Sequence, residues 1–180
     1  ESGSEDIRNI VKKKINYKDF INTVKVLNRS KITLSCFIVI GFPEDSYSTL
    51  KDTLRLVRRL AMLGVDDITV SQFTPYPGST YYNQLVLSGE IDDKYDNVKN
   101  IISFYSSEPR SYAGNIKDGD LYKSMIRMYL EFYILSFLIR PWRVVYNFYD
   151  YIRSGRENTK YIKFVTEMLF TRRRFTGGSA

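Results

Sequence analysis

Two kinds of apolar spacing alternate along the first half of the chain. Phe20, Ile21, Val24 and Leu27 recur at three- and four-residue intervals, which predicts an amphipathic helix ending near Arg29, with Asn16 placed to cap it. Ser4 followed by Glu5 and Asp6 predicts an earlier helix that runs to about Lys14. The run Ile32 to Ile40 is instead nearly continuous in apolarity and rich in β-branched residues, the pattern of a strand buried on both faces in a parallel sheet. Gly41-Phe42-Pro43-Glu44-Asp45 breaks it, Ser46 can cap, and Leu50, Leu54, Val57, Leu60 and Ala61 predict a long helix stopped by Gly64. Asp67 to Phe73 predicts a second short strand. Strand, helix and strand in this order make a βαβ unit whose right-handed crossover sets the strands parallel, so the class is α/β.

Beyond Thr74-Pro75-Tyr76-Pro77-Gly78 the pattern predicts a short helix from about Thr80 to Leu87 and a polar, loop-rich stretch from Ser88 to Gly119. Residues 121–139, 141–153 and 157–172 then read as three helices, with Pro141 ending the first and Ser154-Gly155 separating the others. The expected organisation is an α/β part over 1–90, a connection over 91–120 and a helical region over 121–180.

Composition changes this picture mainly by exclusion. With 43% hydrophobic and 26% charged residues among 180, the chain has a globular composition and not that of a disordered tract. It has no His, which removes Ser/His/Asp and Cys/His hydrolysis and His-ligated zinc. The single cysteine, Cys36, makes no internal disulfide and cannot supply the thiolates of an iron-sulfur cluster; in mid-strand it reads as a small buried hydrophobe. No targeting peptide is visible. The longest apolar run, Phe132 to Ile139, is too short to span a bilayer, so a cytoplasmic protein is expected.

Charge is uneven. Residues 1–120 hold 16 basic and 16 acidic side chains, whereas 121–180 hold 11 basic and 4 acidic, which accounts for the whole net charge of +7. The same third carries 14 of the 27 aromatics. Met125, Met128, Tyr129, Phe132, Tyr133 and Leu135 to Leu138 there form a broad apolar helical face that suits packing on the α/β part. A second reading is peripheral attachment of 121–180 to an anionic membrane surface, with Lys160, Lys163 and Arg172-Arg173-Arg174 as the charge and aromatics at the interface. No RNA-recognition motif accompanies the basic residues, so no nucleic-acid partner is expected.

Candidate chemistry lies in the loops. In parallel α/β folds ligands bind beyond the carboxyl ends of the strands. Gly41 can let the backbone approach a ligand, Pro43 fixes the turn, and Glu44 offers a charged acceptor. The second loop, Phe73 to Gly78, interleaves aromatics, prolines and a glycine into a stiff rim. Glu1-Ser2-Gly3-Ser4 suits the equivalent place after a strand whose body precedes residue 1. Taken singly, each has a plain explanation as a turn, a cover or a helix cap.

In combination the four segments Glu1 to Ser4, Lys12 to Lys14, Phe37 to Asp45 and Ser71 to Ser79 resemble the second half of a radical S-adenosylmethionine (SAM) enzyme, in the subgroup with a cobalamin-binding domain that includes the anaerobic Mg-protoporphyrin monomethyl ester cyclase. Ile139-Arg140-Pro141-Trp142 is similar to a segment common after the barrel in that subgroup. The resemblance implies the C-terminal portion of a partial (β/α)6 TIM-like barrel followed by an α-helical C-terminal region. It implies a Gly-x-Ile-x-Gly-x-x-Glu pattern laid on Phe37, Val39, Gly41 and Glu44, with Val39 packing on the adenine and Phe37 departing from glycine. It assigns Glu1, Ser2 and Ser4 to the SAM ribose and carboxylate. Phe73, Thr74 and Pro75 become adenine contacts, and Tyr76, Pro77 and Gly78 the rim of a small-molecule substrate cavity. The cofactors implied are SAM, a 4Fe-4S cluster and, as an option of the subgroup, cobalamin. The Cys-x-x-x-Cys-x-x-Cys motif that holds the cluster is absent. The expectation is therefore a fragment with no catalytic or metal-ligating residue of its own, whose first partner is a missing N-terminal half of the same polypeptide. The alternative is a membrane-peripheral or partner-binding helical module without catalysis.

Overall fold

The computed structural model describes residues 1–30, 32–91 and 111–155. Among them the elements run α1 (Glu5–Ile10), α2 (Tyr17–Arg29), β1 (Ser35–Ile40), α3 (Tyr47–Leu63), β2 (Asp67–Gln72), α4 (Thr80–Leu87), α5 (Asp118–Ile139) and α6 (Pro141–Ser154). β1 and β2 form a two-stranded sheet. Asp67 N donates to Leu34 O (3.2 Å) at one end and Phe73 N to Ile40 O (2.7 Å) at the other, so start lies against start and the strands are parallel.

The expected C-terminal portion of a partial (β/α)6 TIM-like barrel is not what forms. A barrel needs several tilted strands that close on themselves, and the described residues contain one βαβ unit with an open sheet of two short strands. The architecture is small mixed α/β.

Element boundaries show where pattern and geometry part. β1 begins at Ser35, not Ile32, and Ile32 is exposed. α1 stops at Ile10, four residues before the expected end, because Lys12 takes a left-handed backbone (φ 58°) and Lys13 N bonds back to Arg8 O (2.8 Å). α5 starts at Asp118, with Asp118 and Asp120 in its first turn, where the positive end of the helix dipole favours them. Pro141 opens α6 at its first position, as a residue without an amide hydrogen can. The expected helix over 157–172 and most of the loop-rich stretch lie outside the described residues.

The chain divides into two compact units. In the first (Glu1–Ile15, Phe37–Val57, Thr69–Tyr129), Ile38, Ile40, Leu50, Leu54, Val57 and Val70 are buried. Ser46 and Thr49 cap α3 reciprocally: Thr49 N donates to Ser46 Oγ (3.3 Å) and Ser46 N to Thr49 Oγ1 (2.9 Å). The Tyr129 hydroxyl accepts from Val70 N (2.9 Å) and donates to Val70 O (3.1 Å), which satisfies the β2 backbone at that residue.

In the second unit (Asn16–Cys36, Arg58–Ile68, Leu130–Ala180), Ile21, Val24, Leu60, Ala61, Val65, Ile68 and Phe132 are buried, and Asn16 Oδ1 caps α2 by accepting from Lys18 N (2.9 Å). The carbonyls that end α3 are met by two guanidinium groups. Arg140 donates to Ala61 O (3.1 Å) and Met62 O (3.2 Å), and Arg143 to Val65 O (3.1 Å) and Gly64 O (2.8 Å), while Arg143 also pairs with Asp66 (3.0 Å). Cations at a helix C-terminus complement its dipole as well as its orphan acceptors.

Candidate functional site

The sheet has two unlike faces. Side chains alternate along a strand, and the parallel register places Phe37 and Val39 of β1 on the same face as Thr69 and Ser71 of β2. On the other face Ile38, Ile40 and Val70 are at most 4% exposed. On the first, Phe37 is 69% exposed in mid-strand, and Val39, Thr69 and Ser71 are half-buried. β1 is therefore fully buried on one face only, in contrast to the expectation of burial on both.

The loop after β1 is organised by Asp45, a residue the sequence reading passed over. Its buried carboxylate accepts from Gly41 N (2.7 Å) and Phe42 N (3.0 Å) through Oδ2, and from the Thr49 hydroxyl (2.6 Å) through Oδ1. Burial nonetheless pushes the Asp45 carboxyl above the usual carboxylate range, against the opposing pull of these hydrogen bonds. Gly41 has a left-handed backbone (φ 86°), and a Cβ built on it would stand 2.6 Å from Leu121 Cδ2. Its glycine is thus accounted for by backbone conformation and by α5 packing. Glu44 points outward, and its carboxylate accepts from the Tyr81 hydroxyl (2.9 Å); burial first, and Glu44 second, raise the Tyr81 pKa.

The loop after β2 lies at the same end of the sheet, as parallel strands require. Phe73 packs with Phe42 (ring centroids 4.9 Å apart), Tyr81 (5.1 Å) and Tyr112 (5.9 Å). Thr74 is half-buried, Pro75 is buried, and Tyr76, Pro77 and Gly78 are exposed. Ser79 Oγ then accepts from Tyr82 N (3.2 Å) and caps α4. The two loops are therefore joined by the Phe42–Phe73 contact and the Tyr81–Glu44 hydrogen bond.

The segment Glu1 to Ser4 comes to the other edge of β1, where Glu1 O accepts from Val39 N (2.9 Å). The Glu1 carboxylate pairs with Lys13 (2.8 Å). Ser2 is buried, and its hydroxyl is within hydrogen-bond distance of Thr53 Oγ1 (3.1 Å) and accepts from Ser4 N (3.2 Å). Gly3 touches α3 so closely that a Cβ would lie 2.4 Å from Asp52 O. Ser4 is 3% exposed, and its hydroxyl makes no hydrogen bond among the described residues, not even the expected cap of α1.

The structure thus brings Val39, Gly41, Glu44 and Phe73 toward one end of the sheet, with Glu1 on the edge of β1 opposite β2, and engages Ser2 within the chain. Burial pushes the Cys36 thiol up to about 11, which suits a packed side chain and not a nucleophile or ligand. Among the described residues no group of three or more Cys, Asp and Glu side chains is placed to hold a metal ion. An open surface hollow lined by Asp19, Asn22, Thr23, Val26 and Leu27 belongs to the second unit and contains none of the sequence-predicted site residues. No helix among the described residues is long and apolar enough to cross a membrane.

No protein-family model matches the chain. An uncharacterized protein of Methanopyrus kandleri is 25% identical over 81 residues, a stretch that makes up 45% of this chain and 16% of that protein.

Proposed function

We propose that this chain is the SAM-holding part of a radical SAM enzyme, active only together with cluster-bearing residues that it does not itself contain. The observation that carries the reading is the sheet face on which Phe37 is exposed and Val39, Thr69 and Ser71 are half-buried, beside the two loops at the carboxyl end of parallel strands, the place where α/β folds hold ligands. An exposed aromatic ring beside a half-buried valine suits a nucleoside, whose base needs an apolar surface, and the Ser71 hydroxyl, which donates to Ile38 O (3.3 Å), keeps acceptor capacity for a ribose hydroxyl. The buried Ser4 hydroxyl, without a hydrogen bond among the described residues, supports the same reading, since such a group costs about 1–3 kcal/mol until something satisfies it.

Under this reading Val39 is the packing surface for adenine, Glu44 and Glu1 are acceptors, and the rim of Tyr76, Pro77 and Gly78 faces the substrate. SAM, when bound beside a reduced 4Fe-4S cluster, supplies a 5'-deoxyadenosyl radical, or a methyl group where cobalamin takes part. The chain's own residues bind and orient. With one cysteine, they do not hold the cluster.

The test is equilibrium dialysis of SAM with the polypeptide made from the complete reading frame. Val39→Asp places a charge on the half-buried Phe37 face and leaves the fully buried face untouched. It is expected to weaken SAM binding at least about tenfold with the far-UV circular dichroism spectrum of the folded chain retained. A complete polypeptide that binds no SAM, or a variant that binds it unaltered, overturns the proposal.

A further inference from the structure

α6 turns an arginine inward and carries an apolar stripe on its exposed face. Arg143 is turned inward, bonded to Val65 O, Gly64 O and Asp66, and the residues one and two turns on, Asn147, Phe148, Asp150 and Tyr151, are half-buried. The opposite face carries Trp142 (63% exposed), Val145 (70%), Tyr146 (66%), Tyr149 (58%) and Ile152 (81%), spaced at three- and four-residue intervals. A helix in water normally shows its charges and hides its apolar stripe. In the same unit, Leu130, Ile134 and Leu138 of α5 are exposed at four-residue intervals. An exposed apolar stripe of this kind on a helix suits a docking face.

We infer that the Trp142–Ile152 face of α6 lies on an anionic lipid surface. Two observations select that occupant. The face joins Trp and two Tyr, whose rings are apolar and whose polar tips are wet, to Val and Ile, the mixture that partitions to the headgroup boundary of a bilayer. By sequence, 121–180 carries 11 basic against 4 acidic residues, and Arg153, beside Ile152 on α6, is exposed; such a charge is attracted by anionic lipid and repelled by a second copy of itself. The inference is independent of the SAM reading, since it rests on a different element and a different surface.

Trp142 is the chain's single tryptophan, so it reports on this face alone. The full chain is mixed with vesicles of phosphatidylcholine alone or of phosphatidylcholine with phosphatidylserine, and sedimentation and Trp142 emission are followed. Expected are co-sedimentation with the anionic vesicles that falls as salt is raised, a blue shift of Trp142, and quenching by brominated acyl chains. The exposed triple substitution Tyr146→Ser, Tyr149→Ser, Ile152→Ser, which removes no buried contact, is expected to lower the partition coefficient at least about tenfold. Failure to sediment, sedimentation without a Trp142 shift, or an unchanged triple variant overturns the inference. So does a Trp142 already blue-shifted without vesicles: growth of that shift with protein concentration would assign the face to a second copy, and concentration-independent shielding from acrylamide would assign it to the chain itself.

Discussion

Replacing Asp45 by alanine removes the acceptor that organises the loop after β1. The Gly41 and Phe42 amides, at 2.7 and 3.0 Å from Asp45 Oδ2, lose their partner, while the Thr49 hydroxyl keeps an alternative in Ser46 O at 2.9 Å. Two buried donors left open cost about 1–3 kcal/mol each. Relief of the buried carboxylate, visible in its raised pKa, offsets part of that, and the net expected loss is about 2 kcal/mol. Glu44→Ala is the control, since Glu44 is exposed and among the described residues accepts from the Tyr81 hydroxyl alone; its expected cost is below about 0.5 kcal/mol. Urea unfolding monitored by far-UV circular dichroism, at unchanged m-value, gives both numbers. The pH dependence supplies a second arm. A folded-state pKa above the unfolded one means that the folded chain binds the Asp45 proton more tightly. The residue's net contribution is then fully present below the unfolded pKa and declines as pH rises through the folded value. The stability gap between wild type and Asp45→Ala should therefore narrow from about pH 4 to neutrality. An Asp45→Ala cost no larger than that of Glu44→Ala, or a gap that widens with pH, refutes the account of this loop.

Gly41→Ala is expected to destabilise by about 1–3 kcal/mol, from its left-handed φ and its contact with Leu121, and Leu121→Ala should recover part of that in a double-mutant cycle; strictly additive losses would place the strain elsewhere. Tyr129→Phe deletes the hydroxyl that bonds both backbone groups of Val70 and should cost about 1–3 kcal/mol, with faster amide exchange at Val70; unchanged exchange there would contradict the edge-sealing role. Arg143→Lys should retain the Asp66 pair but lose the forked bonding to the α3 carbonyls, giving a stability between wild type and Arg143→Ala; full rescue by lysine would show that charge alone matters. With its thiol near 11, Cys36 should react with a disulfide reagent at pH 8 about a hundredfold more slowly than in the denatured chain; comparable rates would mean an exposed, ordinary thiol.

The α3 face shows what sequence periodicity conveys well. Leu50, Leu54, Val57, Leu60 and Ala61 are all buried as their spacing predicts, and Asn16, Ser46 and Ser79 occupy helix starts because their oxygens satisfy amides that the helix leaves open. β1 shows what periodicity does not convey. A run of apolar residues reports what a strand would tolerate against it, not what covers it, and Phe37 is 69% exposed in the middle of such a run. The barrel expectation failed for a related reason: one βαβ unit is common to many α/β arrangements, and closure depends on strands that the described residues do not supply.

At the candidate site, the proximity of the two loops was legible from strand order alone, because parallel strands put both loops at one end. The bonds that join them were not. Nothing in the spacing distinguishes Tyr81 as the partner of Glu44, and Asp45 reads as one more turn residue although Gly41, Phe42 and Thr49 all bond to it. Only the sequence Asp-Ser-x-x-Thr, an acidic residue placed just before a capped helix, carried a local sign of that role. Ser2 illustrates the reverse, a hydroxyl read as a ligand contact whose nearest neighbours are Thr53 and the Ser4 amide.

The claim on which the account turns is that SAM lies against the Phe37 face of β1 and β2. Hydrogen exchange of the complete polypeptide, with and without saturating SAM, tests it directly. The account predicts protection concentrated in peptides spanning Phe37 to Asp45 and Thr69 to Gly78, with α2 unchanged. Protection that leaves those two stretches untouched, or falls elsewhere in the chain, contradicts it.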